Sequence, residues 1–397
     1  MKLYLLVLLP LWLGATQLST LIENAKSTHT SLEAIEHKLN ALDDEFDASR
    51  NFANPELSLS VSDIQFKDAS NRSIEPMQYS AINIKQKIPF FGKRDANSDK
   101  VTAKKEKLSL TLEEAKVKLI ERLKITAYTI WQVEEEIKIT DEYIKLTNQT
   151  IDINTAYSSS DTKYNMGIMS AELNLSQLKI KKHKYESMRE GLYKKISYLS
   201  AMDVRSLELS MKMDEPKNLA YYEDATTQNS SYKVKEANTA EANADLKVKE
   251  LASYIDPSVQ VGYYHRESFE DYMSVGVAFS LPIYGTEKSQ EEASRKLMLS
   301  TKSEMDDFKN ALNAEVEETY AKLLFAYKEY TIINNDALPQ LNHMFELTSA
   351  SIENGSDLFV YIELLQKKLS LDEQSIDAVA SYYKTLASLE AMIGEMR

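Results

Sequence analysis

Apolar and polar residues alternate along four short segments of this chain. Small or polar side chains fill the positions between, and the apolar positions are Leu57, Leu59 and Val61; Ile82, Ile84 and Ile88; Val259, Val261 and Tyr263; and Met273, Val275, Val277, Phe279 and Leu281. Successive side chains of a strand point to opposite faces of a sheet, so each segment predicts a β-strand with one apolar face. The strands are expected at about residues 55–63, 79–89, 257–265 and 272–282.

Apolar residues spaced seven apart run through the long segments that follow each strand pair. The first series is Leu123, Ile130, Ile137, Ile144 and Ile151, and the second is Val316, Leu323, Tyr330, Ala337 and Met344. This spacing is typical of long helices packed side by side. Shorter series indicate returning helices: Leu178, Tyr185, Leu192 and Leu199, then Leu365, Val379, Leu386 and Ile393. Charged residues such as Glu134, Glu135 and Glu136 are expected on the exposed side.

A glycine in a short polar segment follows each long helix, Gly167 in the first case and Gly355 in the second. Glycine suits the left-handed residue at which many helices end. The pattern therefore predicts two helical hairpins, at about residues 93–202 and 287–395.

The chain repeats its own plan. Ile88-Pro89-Phe90-Phe91-Gly92 returns 193 residues later as Leu281-Pro282-Ile283-Tyr284-Gly285, and Asn54-Pro55 returns 202 residues later as Asp256-Pro257. A repeat of this length is far longer than a solenoid unit. We predict two repeats, 16–207 and 208–397, each with an equatorial helix, a strand pair and a helical hairpin.

The N-terminal residues 1–15 have the pattern of a secretory signal peptide. Lys2 precedes an apolar run from Leu3 to Leu13, and Leu13-Gly14-Ala15 is an acceptable cleavage site. The alternative is a signal anchor, for which the apolar run is short. We therefore expect an exported protein.

Composition narrows the range of functions. The 397 residues carry a net charge of −14, which argues against a nucleic-acid partner, and the absence of cysteine excludes disulfides. The five histidines are scattered, and neither a phosphate-binding loop nor a catalytic constellation is present. We expect no enzyme activity, no cofactor and no metal site.

Four strands with an apolar face fit either a soluble sheet or part of an outer-membrane barrel. Aromatic residues near the strand ends match the girdle of such a barrel, namely Phe66, Tyr79, Tyr263, Tyr264, Phe269 and Tyr272. Four strands leave two open edges, which cannot stand in hydrocarbon. Several copies must then share one barrel, and three copies would supply twelve strands.

The order of these motifs resembles that of the TolC-type outer-membrane factors, over essentially residues 20 to 397. The resemblance is carried by Asn54-Pro55-Glu56-Leu57, Gln86 to Arg94, Tyr164-Asn165-Met166-Gly167, Asp256-Pro257 and Leu281 to Gly285. The segment from Gln86 to Arg94 is most similar to the branch that serves heavy-metal and related cation efflux.

The resemblance implies a mainly α fold with a small β part, assembled as a homotrimer. Twelve strands would form a barrel in the outer membrane of a Gram-negative bacterium, continued by a periplasmic α-helical barrel. Its partners would be membrane lipid, a periplasmic adaptor and an inner-membrane transporter, of the resistance-nodulation-division type.

The resemblance also assigns roles to residues. The lipid-facing positions are Leu57, Leu59, Ile82, Ile84, Val259, Val261, Val275 and Val277, and the barrel-to-helix transitions are Pro89, Gly92, Pro282 and Gly285. Gly167 and Gly355 mark the helix tips that would contact the adaptor. Family members often close the tip with acidic rings, but Tyr361 and Leu364 occupy the matching positions here. A gate formed by Tyr361 and Glu363, with Asp357 and Glu172 nearby, is the hypothesis.

The sequence leaves three functions open. A passive efflux duct for heavy-metal cations or small toxic compounds is favoured. A type I protein-secretion duct would have the same architecture, and an exported coiled-coil scaffold would lack a pore.

Overall fold

The computed structural model describes residues 16–157, 162–352 and 358–395. The predicted signal peptide, Gly355 and Asp357 lie outside these residues. The predicted fold class, mainly α with a small β part, is confirmed. The chain divides into two compact units, one formed by residues 34–112 and 231–309, and the other by the described residues of 1–33, 113–230 and 310–397.

The first unit, which we call the sheet unit, contains an antiparallel sheet of four strands. They are β2 (Glu56–Ser62), β3 (Tyr79–Lys87), β5 (Pro257–His265) and β6 (Tyr272–Phe279), in the order β2-β3-β5-β6. The unit also holds most of α2 (Thr30–Ser49) and of α6 (Ser230–Ala252), and the first turns of α3 (Lys93–Tyr157) and α7 (Thr286–Ile332).

The registers of the two hairpins agree with the sequence repeat. Leu57 pairs with Ile84 in the first hairpin, and Val259 pairs with Val277 in the second. Moving the first pair by 202 and 193 residues gives the second pair, so each repeat builds the same hairpin. The pairing of β3 with β5, which places Ile84 opposite Val261, joins the two hairpins into one sheet.

The side chain of Asp256, just before β5, bonds to the segment that follows β3. Its carboxylate accepts a hydrogen bond from the Phe90 amide at 3.1 Å and lies 2.9 Å from the Lys93 ammonium. Although burial opposes ionisation, these contacts hold the pKa of Asp256 below its ordinary value. The two sequence motifs that sit 166 residues apart are therefore parts of one junction.

The second unit, which we call the helical unit, is built from the helices that the heptads predicted. These include the rest of α3 and α7, α4 (Thr162–Ser200), α8 (Leu338–Ile352) and α9 (Leu358–Met392). The same unit also contains β1 (Thr16–Gln17), α1 (Leu18–Thr28), β4 (Leu207–Glu208) and α5 (Leu219–Asp224). No helix in the described ranges has an apolar stretch long enough to cross a membrane.

The heptad positions of α3 form the core of the helical unit. Leu123 and Ile130 are fully buried, and so are Thr126 between them and Thr140 further along the helix. Each threonine hydroxyl donates to the carbonyl four residues before it, at 2.7 and 2.6 Å, which satisfies the polar atom inside the packed seam. Small threonines therefore let the neighbouring helices approach α3 closely.

The heptad prediction is wrong for the end of the second series. A π-helical turn at Ile333–Ala337 interrupts the helix between α7 and α8. Such a turn inserts an extra residue, so the buried side moves to Ile333 and Leu341, while Met344 is exposed. The Asn334 amide crosses to the Ser375 hydroxyl at 2.9 Å and anchors the widened turn on α9.

Two further expectations are wrong. Gly167 does not end a helix in a left-handed conformation, because it lies buried within α4, five residues after the first residue of that helix. Glu136 is not on the exposed side of α3, because only 2% of it is accessible. Successive residues of a helix are about 100° apart, so three consecutive glutamates span about 200° and one of them can face the core.

Candidate functional site

The apolar face of the sheet is an extended exposed surface of the sheet unit. One row of neighbouring residues is Leu57, Ile84, Val261 and Val275, and the next is Leu59, Ile82, Tyr263 and Met273. Leu59 and Val275 are both 73% exposed. All eight residues predicted to face lipid lie on this one face, with Val259 and Val277 forming part of a third row. Such a surface is costly in water and suits a lipid or protein partner.

The opposite face carries small and polar residues around a cluster of tyrosines. Tyr264 stacks on Tyr272 with ring centroids 4.7 Å apart, and the edge of Tyr79 meets Tyr264 at 5.0 Å. The Tyr264 hydroxyl donates to the Asn83 side chain at 3.0 Å. Tyr79, Tyr264 and Tyr272 therefore lie on the polar face of the sheet, whereas Tyr263 lies on the apolar face.

Gly262 makes room for this cluster. A Cβ atom at residue 262 would stand 2.2 Å from the Asn83 Oδ1 atom and 2.7 Å from the Tyr264 ring. We expect Gly262→Ala to lower the free energy of unfolding by about 1–3 kcal/mol, because ring and amide must move out of their packed positions. Thermal unfolding of the detergent-extracted protein measures the change.

Gly276 supplies the control for that substitution. It lies on the same face of β6, and a Cβ atom there would meet nothing within 4 Å. Gly276→Ala should therefore unfold within a degree or two of the wild type. Equal losses in both variants would show that the tyrosine cluster is not what requires glycine.

The sheet ends in two strands without an outer neighbour in the described chain. β2 and β6 each pair on one side only, and no described strand covers their other sides. Unpaired edge amides and carbonyls invite another strand, and within hydrocarbon they require one. The four described strands are thus paired with one another, but the outer edges of β2 and β6 have no strand partner in the described chain.

Apolar stripes also remain exposed on the helical unit. On α4, Met166, Leu173 and Ile180 follow one another at intervals of seven residues and are 63–71% exposed. On α7, Phe325 and Ile332 show the same interval and are exposed as well. Sequence reasoning missed both stripes because it assigned each helix one seam, although the second series of heptads is visible in the printed sequence.

The structure describes three of the four residues proposed for the gate. Tyr361 is partly buried, with its ring 4.9 Å from that of Phe345, while Glu363 is exposed and paired with Lys367 at 2.9 Å. Glu172 is exposed on α4. The constriction stays a prediction, which the cation selectivity of a Glu363→Gln channel would check; unchanged selectivity would remove Glu363 from it.

The transition residues lie between each strand pair and its long helix. Gly92 and Gly285 stand immediately before α3 and α7 with φ values of +74° and +75°. Residues with a side chain rarely adopt this backbone conformation. Glycine therefore allows the sharp change of direction from strand to helix. Pro89 and Pro282 precede them by three residues in both repeats.

The described residues show no cluster of side chains that could bind a metal ion. Within the described ranges, no group of three or more histidines and carboxylates is arranged to hold a metal ion. The distinctive surfaces are instead the apolar sheet face, its two open edges and the exposed helical stripes.

Comparisons with known proteins agree with this architecture. Residues 21–171 match the family described as outer membrane efflux protein. The structure of CusC shares 12% identity, with coverage of 96% of this chain and 92% of CusC and a TM-score of 0.78. VceC of Vibrio cholerae shares 11% identity (95% and 96% covered, TM-score 0.78), and CmeC of Campylobacter jejuni shares 12% (95% and 85%, TM-score 0.74). No curated protein matches this sequence.

The fold is that of the TolC-type outer-membrane factors, and the resemblance predicted from the sequence is confirmed. The family match covers residues 21–171, and the fold agrees with it over nearly the whole chain. The predicted location, the outer membrane of a Gram-negative bacterium, agrees with the description of the matched family.

Proposed function

We propose that three copies of this chain form a passive duct through the outer membrane, which exports the substrates of an inner-membrane transporter. The observation that carries the proposal is the apolar sheet face, exposed along all four strands and bounded by two open edges. The sheet can enter a membrane only as part of a closed barrel. Closed bacterial barrels have at least eight strands, so four strands are too few and twelve are sufficient.

The sequence repeat specifies how neighbouring copies would pair. Within the chain, Ile84 of β3 lies opposite Val261 of β5. The repeat relates β3 to β6 by an offset of 193 residues and β2 to β5 by an offset of 202 residues. Ile84 therefore corresponds to Val277, and Val261 corresponds to Leu59. We propose that β6 of one copy pairs with β2 of the next, with Val277 opposite Leu59. Each junction between copies then reproduces the junction between the two repeats.

The helical unit gives a second reason for assembly. The exposed stripe on α4 and the exposed stripe on α7 each show the heptad spacing of a packed seam. In a ring of copies, helices of the neighbouring copies would cover both stripes and form the wall of the duct. A single copy in water would leave both stripes uncovered.

The substrates that we propose are heavy-metal cations or small toxic compounds. Gln86 to Arg94 carries the similarity to the cation efflux branch, and the net charge of −14 suits the passage of cations. A duct needs no tight binding site, since an ion that is held strongly does not leave. The proposed partners are a periplasmic adaptor at the helix tips and a transporter of the resistance-nodulation-division type.

The test combines stoichiometry with conductance. Native mass measurement of the detergent-extracted protein should give three copies, and the same material should form long-lived ion-conducting pores in planar bilayers. A non-conducting species of one chain would contradict the proposal and favour the pore-free scaffold. A type I secretion duct would conduct equally, and adjacent genes for a cation transporter rather than a peptide exporter would exclude it.

A further inference from the structure

A buried carboxyl group lies between three helices of the helical unit. Glu136 of α3 is 2% exposed, and its Oε2 atom has no hydrogen-bond partner. The Tyr185 hydroxyl of α4 donates to the same carboxyl group. A charge left in such a place costs far more free energy than a neutral group does, so the protonation state of Glu136 bears on the packing.

The groups that face Glu136 do not offset its charge. Helix α9 presents two more carboxylates, Glu373 and Asp377, and α4 presents Lys181. The Lys181 ammonium is already engaged by Glu373. Negative groups therefore outnumber the positive one at the junction of the three helices.

The second nearby cation is also engaged elsewhere. Lys384 of α9 donates to the Gln132 side chain of α3, whose amide donates to Asp377. Burial lowers the pKa of Lys384 below its ordinary value. Burial first, and then Glu373 and Asp377, raises the pKa of Glu136 to about 7.

We propose that Glu136 is a proton-operated switch in the helical unit, which keeps α3 packed against α4 and α9 when its carboxyl group is protonated and lets them separate locally when it is ionised. The switch rests on burial, on the unpartnered oxygen and on the facing carboxylates. It does not depend on pore formation, because the three helices belong to a single chain.

The direction of the pH dependence follows from the pKa of Glu136 in the packed state and in the opened state. The packed state holds the proton up to about pH 7, whereas exposed glutamate loses it near the ordinary value of 4.5. Between these values the packed state binds more protons than the opened state does. Local opening therefore becomes easier as the pH rises through this window, and it levels off above about pH 7.

Hydrogen exchange of the detergent-extracted full chain tests the switch. The protection of amides in residues 130–143, corrected for the intrinsic exchange rate at each pH, should fall at least about tenfold between pH 5.5 and 8. Glu136→Gln keeps the size and neutrality of the protonated form. It should remain well protected at both pH values.

Glu135→Gln is the matched control. The neighbouring Glu135 is partly exposed and pairs with Lys138. This variant should lose protection with rising pH as the wild type does. A wild type without pH dependence, or a dependence that persists in Glu136→Gln, would overturn the proposal. If both variants lost the dependence, the effect would belong to the surface charge of α3, and the proposal would fail as well.

Discussion

Val277→Arg should remove most of the assembled protein from the outer membrane. Val277 is the sixth of the eight residues of β6, lies on the apolar face and is 57% exposed. A lipid-facing arginine costs up to about 2–4 kcal/mol at the midplane of a bilayer and less toward its edges, and in a shared barrel each copy adds its own cost. We expect the yield of heat-dissociable oligomer in the membrane fraction to fall at least about tenfold.

The next residue along the strand provides the control. Ala278 is also exposed, but it lies on the opposite face, where Ser258 is its partner. In a barrel this face meets water, so Ala278→Arg should assemble nearly normally and make the pore less selective for cations. Normal assembly of Val277→Arg, or equal loss in both variants, would mean that the lipid-facing side is misassigned.

Ile130→Asp should unfold the first helical hairpin. Ile130 is completely buried at the centre of the α3 seam. Placing a carboxylate there removes apolar packing and leaves a charge without a partner, which costs about 4 kcal/mol or more. We expect a loss of helical circular dichroism, and cleavage of the helical unit by protease under conditions that leave the wild type intact.

An exposed position on the same helix separates this effect from that of charge alone. Lys145→Asp makes a larger change of charge at an exposed residue of α3. Its cost should stay within about 0.5 kcal/mol. If Ile130→Asp were as protease-resistant as Lys145→Asp, the seam at Ile130 would not hold the hairpin together.

Sequence reasoning was strongest where one physical constraint sets the pattern. A sheet with one apolar face requires alternation, so all four strands lie within a few residues of their expected places. A long seam requires apolar or small residues every seven positions, and α3 follows that rule from Leu123 to Thr147. Gly92 and Gly285 could be located because a strand-to-helix turn requires positive φ.

The π turn shows where a regular period is insufficient. Pro339 follows that turn by two residues. A proline cannot donate the helical hydrogen bond, and its ring crowds the carbonyl four residues before it. The widened turn relieves this conflict and rotates the rest of the helix, so Met344 leaves the seam. Pro339, within the second series, was the sequence signal that the seven-residue spacing would not continue.

The burial of Glu136 could not be predicted from the local sequence. Three consecutive glutamates are typical of a solvated surface, and nothing in α3 alone reveals that α4 and α9 close over the third one. The burial of Glu136 depends on how distant segments pack, because its charged neighbours come from residues 181, 373 and 377. A local pattern cannot report such a site.

In the proposed trimer, β6 of one copy pairs with β2 of the next in the register that the repeat specifies. The chain has no cysteine, so Leu59→Cys with Val277→Cys introduces the only two thiols. Directly opposed residues of antiparallel strands lie about 4.5–5.5 Å apart between Cα atoms, which suits a disulfide. Within one chain two strands separate β2 from β6, and Leu59 is in row with Met273 rather than Val277, so the same thiols are about 19 Å apart.

Mild oxidation of this double variant in outer membranes should produce a covalent trimer on denaturing gels, and reduction should return it to single chains. Leu59→Cys with Met273→Cys is the control, because four residues of misregister put those thiols about 13 Å apart. The account predicts trimers from the first pair and single chains from the second. Single chains from both pairs, or equal cross-linking in both, would contradict it.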